Sequence, residues 1–215
     1  YCANARALPW RCTEDPYFIL ISEFMLQQTQ VERVLGKYPL FIETFPDFQT
    51  LAKASLKDVL SLWQGLGYNR RAVNLWKTAQ MVVEEFHGRL PETPDELIRM
   101  PGIGRATAGA ILAFAFNKPV VFIETNIRRV FIHFFFQGRT DIHDSEILPL
   151  VEATLDREDP RQWYYALMDY GAMLGRQSMN PNRRSVHYSR QASFEGSDRQ
   201  VRGGIIRELL EKGTL

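Results

Sequence analysis

Pro101, Gly102 and Gly104 fall inside Met100-Pro-Gly-Ile-Gly-Arg-Ala-Thr-Ala-Gly109, between two stretches that otherwise read as helix. Pro94-Asp-Glu-Leu-Ile-Arg99 precedes them, with Pro94 admissible in a first turn. Residues 106–116 follow as an apolar, alanine-rich helix. Pro101 and Gly102 stop the first helix and Gly104 permits a further tight bend. A helix, a glycine hairpin and a second helix direct free backbone N–H groups and a positive dipole end at one spot, which suits a phosphate. Gly-x-Gly alone also describes an ordinary helical corner. The acid that follows adds weight to the functional reading. Glu124 lies between the apolar runs 120–123 and 130–136, where a carboxylate is costly unless paired or used.

The remaining helices follow from the 3.6-residue period. Residues 18–38 read as one long helix, and 56–62, 72–86, 126–135, 148–155, 162–173 and 205–210 as shorter ones, with 45–51 as a connection. No strand period of any length and no internal repeat appears, so an all-α fold is expected. With 45% hydrophobic and 12% aromatic residues in 215, there is material for one or two cores. The longest apolar runs are broken by Glu23, Glu124 and His133, so no membrane span is expected. The start as given has no signal peptide, and Tyr1 in place of Met implies that the true N-terminus lies further upstream. Two cysteines, Cys2 and Cys12, build neither a disulfide framework nor a four-thiolate metal site. An intracellular protein, cytoplasmic or nucleoid-associated, is the expectation. The net charge of +1 is uninformative, because a neutral total can hide a basic face. The tail from 175 to 204, rich in Arg, Ser, Asn and Gln with Tyr188 and Phe194 interleaved, reads either as a nucleic-acid-facing arm or as a solvated tail.

Glu23 breaks the amphipathic pattern as Glu124 does, standing on the apolar side marked by Phe18, Ile21 and Met25. These are the two acids set within strongly apolar stretches. Either both are used in chemistry, or each is a buried acid paired with an arginine such as Arg6, Arg128 or Arg129.

The hairpin motif, with an acid twenty residues after Gly104, resembles the helix–hairpin–helix (HhH-GPD) DNA glycosylase superfamily. Within it, Ser22-Glu-Phe-Met-Leu-Gln-Gln-Thr-Gln-Val31 and Met168-Asp-Tyr-Gly-Ala-Met173 most resemble the adenine (MutY-type) DNA glycosylases, and the similarity runs from about residue 8 to 173. The resemblance implies two helical domains, 15–118 with the hairpin and 1–14 plus 119–215, and an active site in an interdomain cleft. It implies a monomer acting on double-stranded DNA that contains a mispaired or damaged base. Glu23, buried and with a raised pKa, would protonate the departing base; Glu124, ionised, would stabilise the cationic sugar and place the attacking water. Relatives that cleave the strand carry a lysine where this chain has Ala106, so a monofunctional enzyme leaving an abasic site is expected. Flipping the base costs a few kcal/mol. Gln28, with Leu26, Gln27 and Thr29 around it, would fill the gap in the duplex, and Tyr68 would wedge beside the opposite base. Arg6 and Trp10 match residues lining the adenine pocket. Gly102 and Gly104, with Arg105 and Thr107, would hold a phosphate, which positions DNA without reading sequence.

The chain departs from the family in three places. Glu124 stands where relatives have Asp, and one extra methylene moves a carboxylate by about a bond length. Gly175, Arg183, Arg184, His187 and Arg190 occupy the region where relatives bind an iron–sulfur cluster through four cysteines. No cluster and no other metal is expected, though a monovalent cation at the hairpin is compatible with the motif; Arg183 and Arg184 are expected to hold phosphates instead. The relatives' C-terminal domain for oxidised guanine is not present before Leu215. The expected activity is hydrolysis of the N-glycosidic bond of adenine opposite guanine or oxidised guanine, in base excision repair. The alternatives are a thymine or uracil mismatch glycosylase of the same fold, and a non-catalytic DNA-binding module.

Overall fold

The computed structural model describes residues 5–176, 179–190 and 193–212, so Cys2 lies outside the described residues. The helices run α1 (Pro16–Leu26), α2 (Val31–Leu35), α3 (Tyr38–Thr44), α4 (Phe48–Lys53), α5 (Leu56–Trp63) and α6 (Arg70–Glu85). They continue with α7 (Pro94–Ile98), α8 (Arg105–Phe116), α9 (Thr125–Phe135), α10 (Asp144–Thr154), α11 (Pro160–Gly175) and α12 (Asp198–Glu211). Among the described residues no strand forms, only a single bridge between Ile142 and Ser185, and the fold is all-α as expected. No described helix is long and apolar enough to cross a membrane.

The chain divides into two compact units. The first in this account, the hairpin unit, is Leu8–Gly104 with Gln191–Leu215. Its spine is α6, which packs against α1, α4 and α5. Phe24, Leu51, Trp63 and Leu75 are fully enclosed there. Local capping explains where its helices begin. Asp15 accepts from the N–H of Tyr17, Asp47 from Thr50 and Ser55 from Asp58, each satisfying a donor that the first turn leaves free. Asp47 thereby starts α4 inside the stretch expected to be a connection.

The expected single helix over 18–38 is instead α1, α2 and the start of α3. The reason is a side chain from another helix. In a continuous helix the carbonyls of Phe24 and Met25 would accept from residues 28 and 29. Here both accept from Arg71 Nη1, each at 2.8 Å. Gln28 turns to φ 55° and the helix ends.

The second unit, here the Glu124 unit, is Tyr1–Ala7 with Arg105–Arg190. In it α9 packs against α10, α11 and the 3-10 turn Pro181–Arg184, and α8 packs against α11. Phe114 stacks on Tyr165 at 4.5 Å and 10°, joining α8 to α11.

Candidate active site

In the hairpin unit, Thr93 caps α7 and the chain turns through Pro101 to Gly104. Gly102 is required twice over: its φ is +82°, and a Cβ there would lie 2.8 Å from Asn74 Nδ2 and 3.0 Å from Phe24. Gly104 has no positive φ and a Cβ would meet open space, so neither its backbone conformation nor its packing demands glycine. The turn is braced from two sides. Thr78 Oγ1 of α6 donates to Pro101 O at 3.0 Å, and Gln27 Nε2 donates to Gly102 O at 3.1 Å. The structure thus ties the glutamine patch to the hairpin.

The same unit carries Glu23, Leu26, Gln28, Thr29 and Tyr68. Glu23 is half-buried, between buried Ser22 and Phe24. Leu26 ends α1, and Gln28 is exposed on the turn that follows. Tyr68 has φ 49°, left-handed like Gln28. Trp10 is only 4% exposed and packs edge-on against Tyr38 at 5.4 Å, so its ring belongs to the core of this unit.

One residue holds both left-handed turns, and sequence reading passed over it. Besides Phe24 O and Met25 O, Arg71 donates through Nη2 to Thr29 Oγ1 at 2.8 Å, Leu66 O at 3.1 Å and Gly67 O at 3.0 Å. Its guanidinium lies 5.3 Å from the Trp63 ring centroid. Burial lowers its pKa to about 10, which leaves it charged at neutral pH. The available signal was its register: Arg71, Leu75, Thr78 and Val82 share the buried face of α6, where a lone arginine is out of pattern.

The Glu124 unit carries Glu124, Arg6, Arg105, Ala106, Thr107, Arg183 and Arg184. Glu124 is the N-cap of α9. Its Oε1 accepts from the N–H of Asn126 at 2.6 Å and of Ile127 at 2.8 Å, and Oε2 accepts from Asn126 Nδ2 at 3.2 Å. Burial pushes this carboxyl above the usual glutamate range; the N–H groups of Ile127 and Asn126, then Arg129 and Arg128, pull against it. Asn126 is itself held, since Arg129 Nη1 donates to Asn126 Oδ1 at 2.9 Å and also to Gly171 O, while Nε reaches Asn180 at 3.0 Å. Two of the arginines near the acids have carboxylate partners of their own. Arg128 forks onto Asp144 at 2.6 and 2.7 Å, and Arg6 pairs with Asp169 through both its backbone N–H and Nε. Arg105 and Ala106 are exposed at the start of α8, and Thr107 is half-buried. Arg183 is exposed, whereas Arg184 donates to Phe136 O at 2.6 Å and Ile132 O at 3.0 Å, closing the C-terminal end of α9.

The motif Met168–Met173 now has a physical account. Asp169 orients Arg6, and Gly171 lets α11 approach the start of α9. A Cβ at Gly171 would sit 2.3 Å from Asn126 O, a backbone atom that cannot swing away. Gly171→Ala is expected to cost about 3 kcal/mol in urea unfolding, as overpacking against backbone does. Such a variant also displaces Asn126, which donates to the Glu124 carboxylate, so its loss of activity should exceed its loss of stability at temperatures where it is folded.

Two sets of groups therefore stand ready. The hairpin unit presents an acid, two strained turns and a glycine hairpin with exposed backbone; the Glu124 unit presents a carboxylate fixed at a helix start. Residues 21–152 match the HhH-GPD superfamily of base excision DNA repair proteins. An adenine DNA glycosylase of Buchnera aphidicola (subsp. Baizongia pistaciae) is 41% identical over 79% of this chain and 48% of its own length. That of Mycobacterium tuberculosis is 33% identical, covering 96% of this chain and 74% of its own. The chain thus spans about half the length of the Buchnera relative. Among solved structures, a thermostable thymine-DNA glycosylase superposes with a TM-score of 0.73 and 27% identity, over 82% of each chain.

Proposed function

Since the chain belongs to the HhH-GPD superfamily of base excision DNA repair proteins, we propose that it is a monofunctional DNA glycosylase that releases adenine mispaired with guanine or oxidised guanine. The observation that carries this reading is the Glu124 carboxylate, pinned by two backbone N–H groups and backed by Asn126 and Arg129. A negative group so fixed needs no reorganisation when a cationic sugar forms. Glu23 donates a proton to a ring nitrogen of the adenine, the bond from that base to C1′ breaks, and the electron pair leaves with the base. Glu124 stabilises the oxocarbenium ion; water then adds to C1′, passing its proton to the Glu124 carboxylate. Ala106 offers no amine, so no Schiff base forms and the strand stays whole. The substrate is a mispaired duplex held by a monomer, in the cytoplasm or nucleoid.

An iron–sulfur cluster does not fit the segment after α11. Residues 175–190 contain no cysteine. The segment is held by Arg129 on Asn180, by Asn182 Nδ2 on Thr125 O at 2.8 Å, and by Arg184 on the end of α9. We therefore assign the enzyme no cluster.

Base release from duplexes carrying A opposite G, A opposite oxidised G, T or U opposite G, and matched A opposite T tests the proposal. Adenine release from the first two is expected, with no DNA trapped covalently by borohydride. Glu23→Gln should slow release at least about a hundredfold, the lower range for a general acid, while binding the duplex normally. Release of thymine or uracil alone would favour a second reading, which the likeness to the thymine-DNA glycosylase supports. Binding with no release of any base would leave a non-catalytic DNA-binding module.

A further inference from the structure

Asn182, in the 3-10 turn Pro181–Arg184 of the Glu124 unit, is only 4% exposed. Its Nδ2 donates to Thr125 O at 2.8 Å, while its Oδ1 is buried with no hydrogen-bond partner among the described residues. A buried acceptor left unpaired is a cost, and a side chain kept in spite of it calls for a reason. Holding the turn in place does not supply one. Arg184 already ties the turn to Phe136 O and Ile132 O, and Asn180 caps it through the N–H of Asn182.

The reason lies in what Thr125 O is joined to. A carbonyl and the N–H of the next residue belong to one planar, conjugated peptide unit. The N–H that shares a unit with Thr125 O is that of Asn126, and it donates to Glu124 Oε1 at 2.6 Å. Donation into the carbonyl oxygen polarises the unit and strengthens its N–H as a donor, since hydrogen bonds in series reinforce one another. Asn182 Nδ2, the Thr125–Asn126 peptide and Glu124 Oε1 therefore form one series that ends on a carboxylate. A second thread leaves the same turn. Asn180 Oδ1 accepts from Arg129 Nε at 3.0 Å, and Arg129 Nη1 donates to Asn126 Oδ1 at 2.9 Å. With its Oδ1 so occupied, the Asn126 amide presents Nδ2 to Glu124 Oε2 at 3.2 Å.

We propose, resting on the role given to Glu124 above, that Asn182 is a positioning residue for that carboxylate, acting through the Thr125–Asn126 peptide to fix it where the cationic sugar forms. Asn180 serves the same end through Arg129. Without the Asn182 donor, a bond to the ionised form weakens, and the Glu124 carboxyl, already raised by burial, rises further. The charges acting on Glu124 are those of Arg129 and Arg128, both on α9, and a substitution at Asn182 removes neither.

The test is Asn182→Ala in protein carrying carbon-13 at its glutamate carboxyls, where the Glu124 signal is identified by its loss in Glu124→Gln. The Glu124 titration should move to higher pH in Asn182→Ala than in the wild type. Adenine release from a duplex with adenine opposite guanine should slow about tenfold, because a slightly misplaced reacting group loses rate steeply. The acid limb of that rate should move to higher pH with the titration, while affinity for a duplex carrying a non-hydrolysable 2′-fluoro adenosine stays the same. Asn117→Ala is the stability control. It removes the acceptor for the Arg161 N–H at 3.0 Å and puts alanine at φ 50°, which lowers the melting temperature without touching α9. Its titration and rate should match the wild type. If Asn182→Ala does not fold, Asn182→Ser replaces it, keeping a polar group too short to reach Thr125 O. A Glu124 titration that stays in place in the Asn182 variant, or moves equally in Asn117→Ala, overturns the proposal. The titration needs no substrate, so the two readings separate. If no duplex releases a base, the glycosylase reading falls while a moved titration still ties Asn182 to Glu124; if adenine is released and the titration stays in place, only the Asn182 assignment falls.

Discussion

Arg71→Met is expected to destabilise the protein by about 3–5 kcal/mol and to abolish base release even where the variant remains folded. The five acceptors that Arg71 serves come from two different turns, and methionine fills the volume while serving none. Each buried carbonyl or hydroxyl left unpaired costs about 1–3 kcal/mol, and partial hydration of the opened turns reduces the sum. Lysine keeps the charge, but three donors on one nitrogen cannot span both turns, so Arg71→Lys should fall between the two. Arg70, its exposed neighbour, is the control: Arg70→Gln should change stability by no more than about 0.5 kcal/mol. Urea unfolding of the four proteins reads this directly. Should Arg71→Met match the Arg70 control, the turns are held by something other than the guanidinium.

The same residue shows why part of the fold could not be read locally. The hairpin was legible because its causes are adjacent in sequence: proline stops α7, and glycine takes φ +82° at Gly102. The start of α9 was legible too, since Glu124 sits next to the helix it caps. The break after α1 was not. Residues 18–38 carry a continuous helical period, and what ends α1 is a competing donor more than forty residues away. Arg6 is a parallel case. Nothing near it marks it as fixed, yet Asp169, 163 residues later, holds its backbone and side chain together. Sequence patterning sees periods and caps; it does not see which distant donor wins a carbonyl. The candidate acids emerged because each violates a local pattern, whereas Asn126, which donates to Glu124 and is held by Arg129, violates none and was missed.

Glu124→Gln should separate stability from chemistry. The amide oxygen can still accept from the N–H groups of Asn126 and Ile127, so the cap survives. In the wild type, burial raises the folded pKa of Glu124 above its unfolded value. A group shifted that way contributes stability below its unfolded pKa and loses that contribution as pH rises through its folded pKa. The wild type therefore pays for an ionised Glu124 above that point, and the glutamine variant does not. At neutral and alkaline pH the variant should melt at or above the wild-type temperature. Base release should nevertheless fall about a thousandfold, the scale for losing one preorganised electrostatic group at a transition state. The wild-type rate should show an acid limb, rising with pH as Glu124 ionises, placed higher than an exposed glutamate would put it; the residual rate of Glu124→Gln should lack that limb. A variant that melts well below the wild type at alkaline pH while releasing adenine at the wild-type rate would make Glu124 a helix cap and nothing more. The negative group over the sugar would then have to be sought elsewhere.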